Sequence, residues 1–262
     1  MTQRPLALVT GASSGIGFEL ARQFACHGYD LVVAAEDEGI HRAAEAISGD
    51  GVVVEPVQVD LRTSDGVEQL YRTATAGGRY LDAAALNAGV GCGDMFIDTE
   101  LADELDIIDL NVRSTVHLAK RVLLDMADRG EGKVLFTSSI ASTMPGSYQA
   151  VYNASKSFVQ SFAEAVRDEL NDRGVEVTSL MPGPTDTNFF RRAKMEDTPV
   201  GRMPKDNPAD VAKQGFDALM RGEQKVVAES MTTKLMGLAN RVLPDAVKAR
   251  ANRILSVPVG GY

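Results

Sequence analysis

The chain reads as an α/β protein, a doubly wound parallel sheet of about seven strands with helices on both faces. Two observations carry that reading. Short runs of consecutive apolar residues recur along the 262 positions, and longer stretches of helical periodicity separate them. Apolar residues in unbroken succession, rather than in alternation, are what strands covered on both faces require.

The strand-like runs are, in order, Leu6-Ala7-Leu8-Val9, Leu31-Val32-Val33-Ala34, Val52-Val53-Val54, Ala83-Ala84-Ala85-Leu86, Val134-Leu135-Phe136, Val175-Glu176-Val177 and Val226-Val227. Helical periodicity fills the gaps, with Phe18 to Phe24, Val67 to Tyr71, Leu105 to Met126 and Phe158 to Leu170 as the clearest stretches. Repeated strand–helix–strand connections of this length favour parallel pairing. No internal repeat or low-complexity linker interrupts the pattern, so one domain over residues 1–262 is expected. Two regions break the rhythm. Residues 182–208 hold five prolines, at 182, 184, 199, 204 and 208, and read as a binding loop over about 183–208. Residues 231–255 carry Leu235, Leu238, Val242 and Val247 among basic residues and read as a C-terminal packing helix, with a lid or subunit contact as the other possibility.

Composition excludes several classes. Apolar residues make up 44% of the chain, enough for a substantial core. Twenty-seven basic against 36 acidic residues leave a net charge of −9, which argues against nucleic acid or an anionic membrane as partner. Cys26 and Cys92 are the only cysteines, so neither a disulfide framework nor a cysteine-rich zinc site is expected, and a cytoplasmic setting fits. The first residues lack the apolar core of a signal peptide, and no run approaches the roughly 18 apolar residues that span a bilayer.

The first strand runs into Thr10-Gly11-Ala12-Ser13-Ser14-Gly15-Ile16-Gly17 and then a helix. Glycines there allow a tight turn and close approach to a pyrophosphate, which the free N–H groups of a helix N-terminus attract. Three spaced glycines alone are weak evidence; their position between first strand and first helix strengthens them. The second strand ends in Ala34-Ala35-Glu36-Asp37-Glu38, beside the expected adenosine ribose. A carboxylate at Glu36 accepts bonds from a ribose 2′-hydroxyl and repels a 2′-phosphate, so NAD is expected over NADP. Arg42 and Arg62 are the cations that can reach over to offset that repulsion.

Tyr152-Asn153-Ala154-Ser155-Lys156 sets a phenol and an ammonium on one helix face. A free phenol titrates near ~10, and an ammonium about 4 Å away is worth up to ~4 kcal/mol at an effective dielectric of 20. The expectation is a phenol drawn down into working range for proton transfer. Ser138-Ser139 closes the fifth strand at its carboxyl end, where such sheets bind ligands. Asn111 lies inside a helical pattern, an unfavourable place for asparagine unless its amide is engaged. Its plain alternative is an exposed helix residue.

Taken together in order, these motifs resemble the short-chain dehydrogenase/reductase family, single-domain type, over about residues 5 to 230. The resemblance rests on Thr10-Gly11 with Gly15 and Gly17, Asp60-Leu61, Asn87-Ala88-Gly89, Asn111, Ser138-Ser139, Tyr152 with Lys156, and Pro182-Gly183 with Thr187. It implies a Rossmann-like fold and a catalytic set of Asn111, Ser139, Tyr152 and Lys156. Tyr152 would be the general acid/base, and Ser139 would orient the carbonyl. Lys156 would hold the nicotinamide ribose and lower the phenol's pKa, and Asn111 would hold a water of the proton relay. Ser139 rather than Ser138 follows from the family's spacing of thirteen to the tyrosine. The implied dinucleotide contacts are Gly11, Ser13, Ser14, Gly15, Ile16, Gly17, Glu36, Asp60 at the adenine, Leu61, Asn87, Ala88, Gly89, Tyr152, Lys156, Pro182, Gly183, Thr185 and Thr187. No metal is implied. Phosphate-using relatives often carry arginine at the position of Glu36, and many NAD users carry aspartate at that of Ala35; this chain has neither arrangement.

The reading is an oxidoreductase that moves a hydride between a nicotinamide cofactor and an alcohol or carbonyl, on a medium-sized apolar substrate. Ile140, Met144, Pro145, Phe189, Phe190 and Met195 are the expected pocket residues. Two alternatives remain. One is a reductase of carrier-linked 3-oxoacyl chains, with Arg191, Arg192 and Lys194 meeting the carrier phosphate. The other is a dinucleotide-binding sensor or scaffold without turnover. Family likeness implies a homodimer or homotetramer. His27, His41 and His117 are scattered and carry no expected role, Cys92 reads as a buried filler, and the acidic run from Asp94 to Asp109 reads as a solvated helix face.

Overall fold

The computed structural model describes residues 4–49, 51–228 and 245–257. Its seven strands are β1 (Leu6–Thr10), β2 (Asp30–Ala35), β3 (Val54–Gln58), β4 (Ala83–Leu86), β5 (Gly132–Thr137), β6 (Val175–Pro182) and β7 (Lys225–Ala228). They form one sheet in the order β3-β2-β1-β4-β5-β6-β7, parallel throughout. The chain works outward from β1 in one direction and then restarts at β4 in the other. The carboxyl ends of β1 and β4 therefore face a crevice, because their connections leave on opposite sides.

The helices are α1 (Gly15–Cys26), α2 (Gly39–Ile47), α3 (Ser64–Ala74), α4 (Leu101–Ile107), α5 (Ser114–Arg129), α6 (Ala150–Leu170), α7 (Phe189–Arg192), α8 (Pro199–Arg202), α9 (Pro208–Met220) and α10 (Asp245–Ser256). Alternate residues of each central strand feed opposite cores. Leu6 and Leu8 join Val67, Leu70, Leu118 and Val122 under α3 and α5, while Ala7 and Val9 join Leu20, Phe24 and Phe216 under α1 and α9. Every residue of β1, β2 and β4 is buried, which is the reason those runs are apolar without alternation.

Three expectations need correction. The third strand is Val54–Gln58 rather than Val52–Val54, since pairing to β2 begins with Val54 opposite Leu31. Val53 lies 62% exposed before it. Pro56 is tolerated because β3 is an edge strand with one hydrogen-bonding side free. The run from Leu105 to Met126 is not one regular helix. Residues Ile108–Arg113 form a π-type turn between α4 and α5, a widening that commonly accompanies function. Finally, the acidic stretch from Asp94 is not a helix until Leu101, and Glu104 is buried, accepting a 2.8 Å bond from the Thr99 hydroxyl.

The loop over 183–208 is structured by α7 and α8. Of the C-terminal stretch read as helix over 231–255, residues 231–244 lie outside the described residues, and α10 occupies the remainder. Among the described residues no helix is long and apolar enough to cross a membrane.

Candidate active site

The crevice is held by Thr10 and Asn87. The Thr10 hydroxyl, at the end of β1, accepts from the backbone N–H of Asn87 (2.9 Å) and of Ala88 (3.0 Å) just past β4. The Asn87 amide returns a bond to the Thr10 carbonyl (3.1 Å), and its oxygen accepts from the Thr137 hydroxyl at the end of β5 (3.0 Å). Three strand ends are thereby tied across the place where the strand order reverses.

The glycine turn packs directly on this tie. Gly11 has φ of +68°, and a Cβ there would lie 2.9 Å from the Ala88 Cα. A Cβ on Gly17 would lie 2.2 Å from the Gly11 carbonyl oxygen, so the helix can start this close only without a side chain. Beyond the turn, the N-terminus of α1 opens into a cavity of about 630 Å³. All but one of the expected catalytic and dinucleotide-contact residues line it: Gly11, Ser13, Ser14, Gly15, Ile16, Gly17, Glu36, Asp60, Leu61, Asn87, Ala88, Gly89, Ser139, Tyr152, Lys156, Pro182, Gly183, Thr185 and Thr187. A helix N-terminus behind a glycine turn, with acidic groups at the far end of β2, fits the pyrophosphate and ribose of a dinucleotide.

At that far end the acids are not free. Glu36 pairs with Arg62 (2.9 Å) and with Arg192 of α7. Arg62 also pairs with Asp60 and Asp106, each at 2.9 Å, and its guanidinium holds the Asp60 carboxyl below the usual carboxylate range. Asp37 accepts from the Ser13 hydroxyl (2.8 Å) and from the Gly39 N–H (2.9 Å) at the start of α2. Arg42 lines the cavity nearby.

The opposite end carries the candidate reacting cluster. Tyr152 sits in the first turn of α6 and Lys156 one turn on, both buried. The Ser139 hydroxyl donates to the Pro182 carbonyl (3.5 Å) and accepts from the Ala141 N–H (3.1 Å), which orients it beside the Tyr152 phenol. Ser138 instead donates to the Lys156 carbonyl (3.1 Å), a structural duty. Asn153 ties the turn after Ser139 to α6 by donating to the Ala141 (3.1 Å) and Met144 (3.2 Å) carbonyls. Phe189 of α7 covers the Tyr152 ring at 5.1 Å between centroids.

The electrostatics differ from the expectation. Lys156 Nζ donates to the Thr137 carbonyl (2.9 Å) and stands 5.9 Å from the centre of the Tyr152 ring. Burial pushes the phenol up to about 12, against the smaller opposing pull of the Ser139 hydrogen bond. Burial also pushes Lys156 down to about 8. Desolvation dominates for both groups, because each is buried and the ammonium is turned to a carbonyl.

Asn111 is the one member of the expected catalytic set that does not line the cavity. It is buried, not exposed, and the π-type turn aims it inward. Its oxygen accepts from the Val90 N–H (2.9 Å), and its nitrogen donates to the Val90 carbonyl (2.9 Å) and to the Ser155 hydroxyl (3.0 Å). Asn111 therefore clamps the segment after β4 against α6. A Cβ at Gly89 would lie 3.1 Å from its oxygen and 3.2 Å from Lys156 Nζ, so the two side chains meet behind that glycine.

Of the expected pocket residues, Ile140, Met144, Phe189 and Phe190 line the cavity, whereas Pro145 is exposed outside it and Met195 is buried behind Phe190. Sequence reasoning missed Gln149, Val200, Met203, Asn252, Leu255 and Ser256, which line it from α8, from loops and from α10. Only proximity in the fold brings them in. Cys92 packs with Ile107 and Tyr152 as a filler. His27 and His117 are engaged elsewhere, with the Gln23 carbonyl and with Glu68.

A cleft at the switch point of a parallel sheet, closed at one end by a buried hydroxyl, phenol and amine, is the ground plan of a nicotinamide-dependent oxidoreductase. The family model described as short chain dehydrogenase matches residues 5–198, and the chain belongs to that family. An uncharacterized short-chain type dehydrogenase/reductase of Sinorhizobium fredii is 35% identical over 212 residues, 80% of this chain and 81% of that one. A short-chain dehydrogenase from Sphingobium yanoikuyae, solved with NADPH, superposes with a TM-score of 0.81 over 98% of both chains at 24% identity. A 3-ketoacyl-(acyl-carrier-protein) reductase from Brucella melitensis, solved with NADH, superposes at 0.74 over 86% of this chain and 97% of its own, at 25% identity. The protein is thus an oxidoreductase of the short-chain type, of a family that works with nicotinamide dinucleotides.

The buried amine has a consequence for stability. A lysine held at about 8 in the fold, against about 10.5 in the unfolded chain, costs stability wherever it must be charged. The cost is absent above pH about 10.5, grows as pH falls towards 8, and is complete below that. Lys156→Met is expected to stabilise the dinucleotide-free protein at pH 7 by up to about 3 kcal/mol, with the gain shrinking as pH rises past 8. Chemical denaturation at several pH values checks this, and a pH-independent loss of stability would contradict it.

Proposed function

We propose that the protein interconverts a medium-sized, largely apolar ketone or aldehyde and its alcohol, and that Ser139, Tyr152 and Lys156 carry the proton chemistry. The convergence of these three buried groups at one end of the cleft supports this reading. When bound, the nicotinamide supplies or takes the hydride. The rest falls to side chains of this chain. Ser139 and Tyr152 bond the carbonyl oxygen, which fixes the face presented for attack. As the carbonyl carbon becomes tetrahedral, its oxygen takes the phenolic proton. A phenol near 12 is fully protonated at neutral pH, and an alkoxide is a stronger base than a phenolate, so the resting site is set for reduction. Oxidation needs the phenolate, and Lys156, charged below about 8, is the cation placed to favour it. Asn111 is read as a positioning residue that holds Gly89 beside Lys156.

Tyr152→Phe is expected to cut turnover of a responsive carbonyl about 10²–10⁴-fold while dinucleotide affinity stays within a factor of about two. Activity on a carbonyl panel with fluorescence titration of the dinucleotide checks this. A wild-type protein that binds the dinucleotide and turns over nothing would favour the sensor reading. The carrier-linked reading draws less support, since Arg192 and Lys194 are committed to Glu36 and Asp103.

The finer choice of cofactor rests on Glu36. We read NAD as preferred, since a carboxylate stands where a 2′-phosphate would lie. Glu36→Gln would remove the carboxylate charge and release Arg192 towards that phosphate. The ratio of NAD to NADP affinity is then expected to fall by about 10-fold or more. Calorimetry with both dinucleotides on wild type and variant tests it; tighter NADP binding by the wild type would overturn the preference.

The chain is also read as one domain, working in the cytoplasm as a homodimer or homotetramer. Leu101, Leu105 and Ile108 form an exposed apolar row on successive turns of α4 and its extension, with Leu124 and Phe158 exposed on α5 and α6. Sedimentation equilibrium should return a dimer or tetramer mass, and a monomer at every concentration would refute the assembly.

A further inference from the structure

We propose that Asn252 is a specificity-determining residue: its side-chain amide forms a donor subsite, on the α10 wall of the cavity, for a second oxygen carried by the substrate. That oxygen is an acceptor (a carbonyl, hydroxyl or ether) set along the chain from the reacting carbon. The inference rests on the carbonyl-reduction reading above and deepens it.

Helix α10 is docked onto the segment that leads into α6. Ser147 Oγ donates to the Ala249 carbonyl (3.2 Å), and Gln149 Nε2, three residues before Tyr152, donates to Ser256 Oγ (3.2 Å). Ser256 Oγ in turn donates to Asn252 Oδ1 (3.2 Å). These bonds fix the helix and the plane of the Asn252 amide, and they use only its oxygen. Among the described residues, the partner of Asn252 Nδ2 is Met144 Sδ at 3.6 Å. A thioether is a weak acceptor, so docking leaves an oriented N–H₂ group poorly satisfied.

The surroundings make this donor selective. Asn252 is half-buried, and Met144, Val200, Met203 and Leu255 line the same cavity with apolar surface. A hydrocarbon ligand seated there strips water from the amide and returns nothing. A ligand with an oxygen at the right spacing replaces that water with a direct bond. Sites built around a buried donor reject the analogue that lacks the acceptor.

The test compares an eight-carbon methyl ketone with its diketones, in which the second carbonyl is moved stepwise along the chain. Binding is measured by nicotinamide fluorescence on the full chain saturated with reduced dinucleotide, in a Tyr152→Phe background that blocks turnover. At one spacing the diketone is expected to bind about 5- to 10-fold tighter than the parent ketone. Asn252→Leu should abolish that preference and leave the parent ketone the tighter ligand, since an unpaired buried carbonyl is unfavourable. Met144→Leu should retain the preference. Asn252→Asp keeps the acceptor for Ser256 and removes the donor, so it should also lose the preference if the leucine variant folds poorly. Parent ketone binding tighter than every diketone, a preference that survives Asn252→Leu, or no saturable binding of any of them would overturn the proposal. Turnover by the wild type is followed separately: its absence would defeat the hydride-transfer reading, while the binding ratio still decides the subsite.

Discussion

Everything in the site depends on how Asn87 is used. One amide bridges the ends of β1 and β5 through Thr10 and Thr137, at the place where two neighbouring strands send their chains in opposite directions. Diverging connections leave strand ends without the lateral support that a continuous winding would give. A buried side-chain network supplies it here, and satisfied networks of this kind are stiff and specify one arrangement. The glycine turn lies against Ala88, Lys156 bonds the carbonyl of Thr137, and Asn111 grips Val90, so the glycine-turn end and the Tyr152 end of the cleft share one frame.

Burial is the second constraint, and it works against the chemistry's most direct form. Burying Tyr152 and Lys156 moves each away from its charged state. A phenol held neutral is a proton donor at rest, and an amine held near 8 can take or release charge with small changes around it. Desolvation thus makes the pair responsive, at a cost to the stability of the fold.

Much of this was legible in the residues. Consecutive apolar runs announce strands covered on both sides, and glycines between the first strand and helix mark the turn. The order of motifs points to the candidate cluster: Tyr152 and Lys156 share a helix face, Ser138-Ser139 stands at a strand end, and the family resemblance picks Ser139 by its spacing to the tyrosine. Local periodicity could not show the π-type turn. Residues Leu105 to Met126 keep a helical pattern, and only the out-of-place asparagine hints at the widening. Nor could sequence foresee that desolvation would dominate at the phenol and the ammonium, because that depends on burial by distant segments. Asn252 and Gln149 stayed hidden for the same reason: they join the cavity through the docking of α10, more than a hundred residues from the segment it covers.

Helix α7 is a single turn of four residues, yet it reaches both ends of the cleft. Phe189 rests on the ring of Tyr152, and Arg192 grasps Glu36 beside the adenosine side. Both ends of the cleft therefore lean on the same four residues, and a change in the footing of α7 touches the phenol and the acidic rim together.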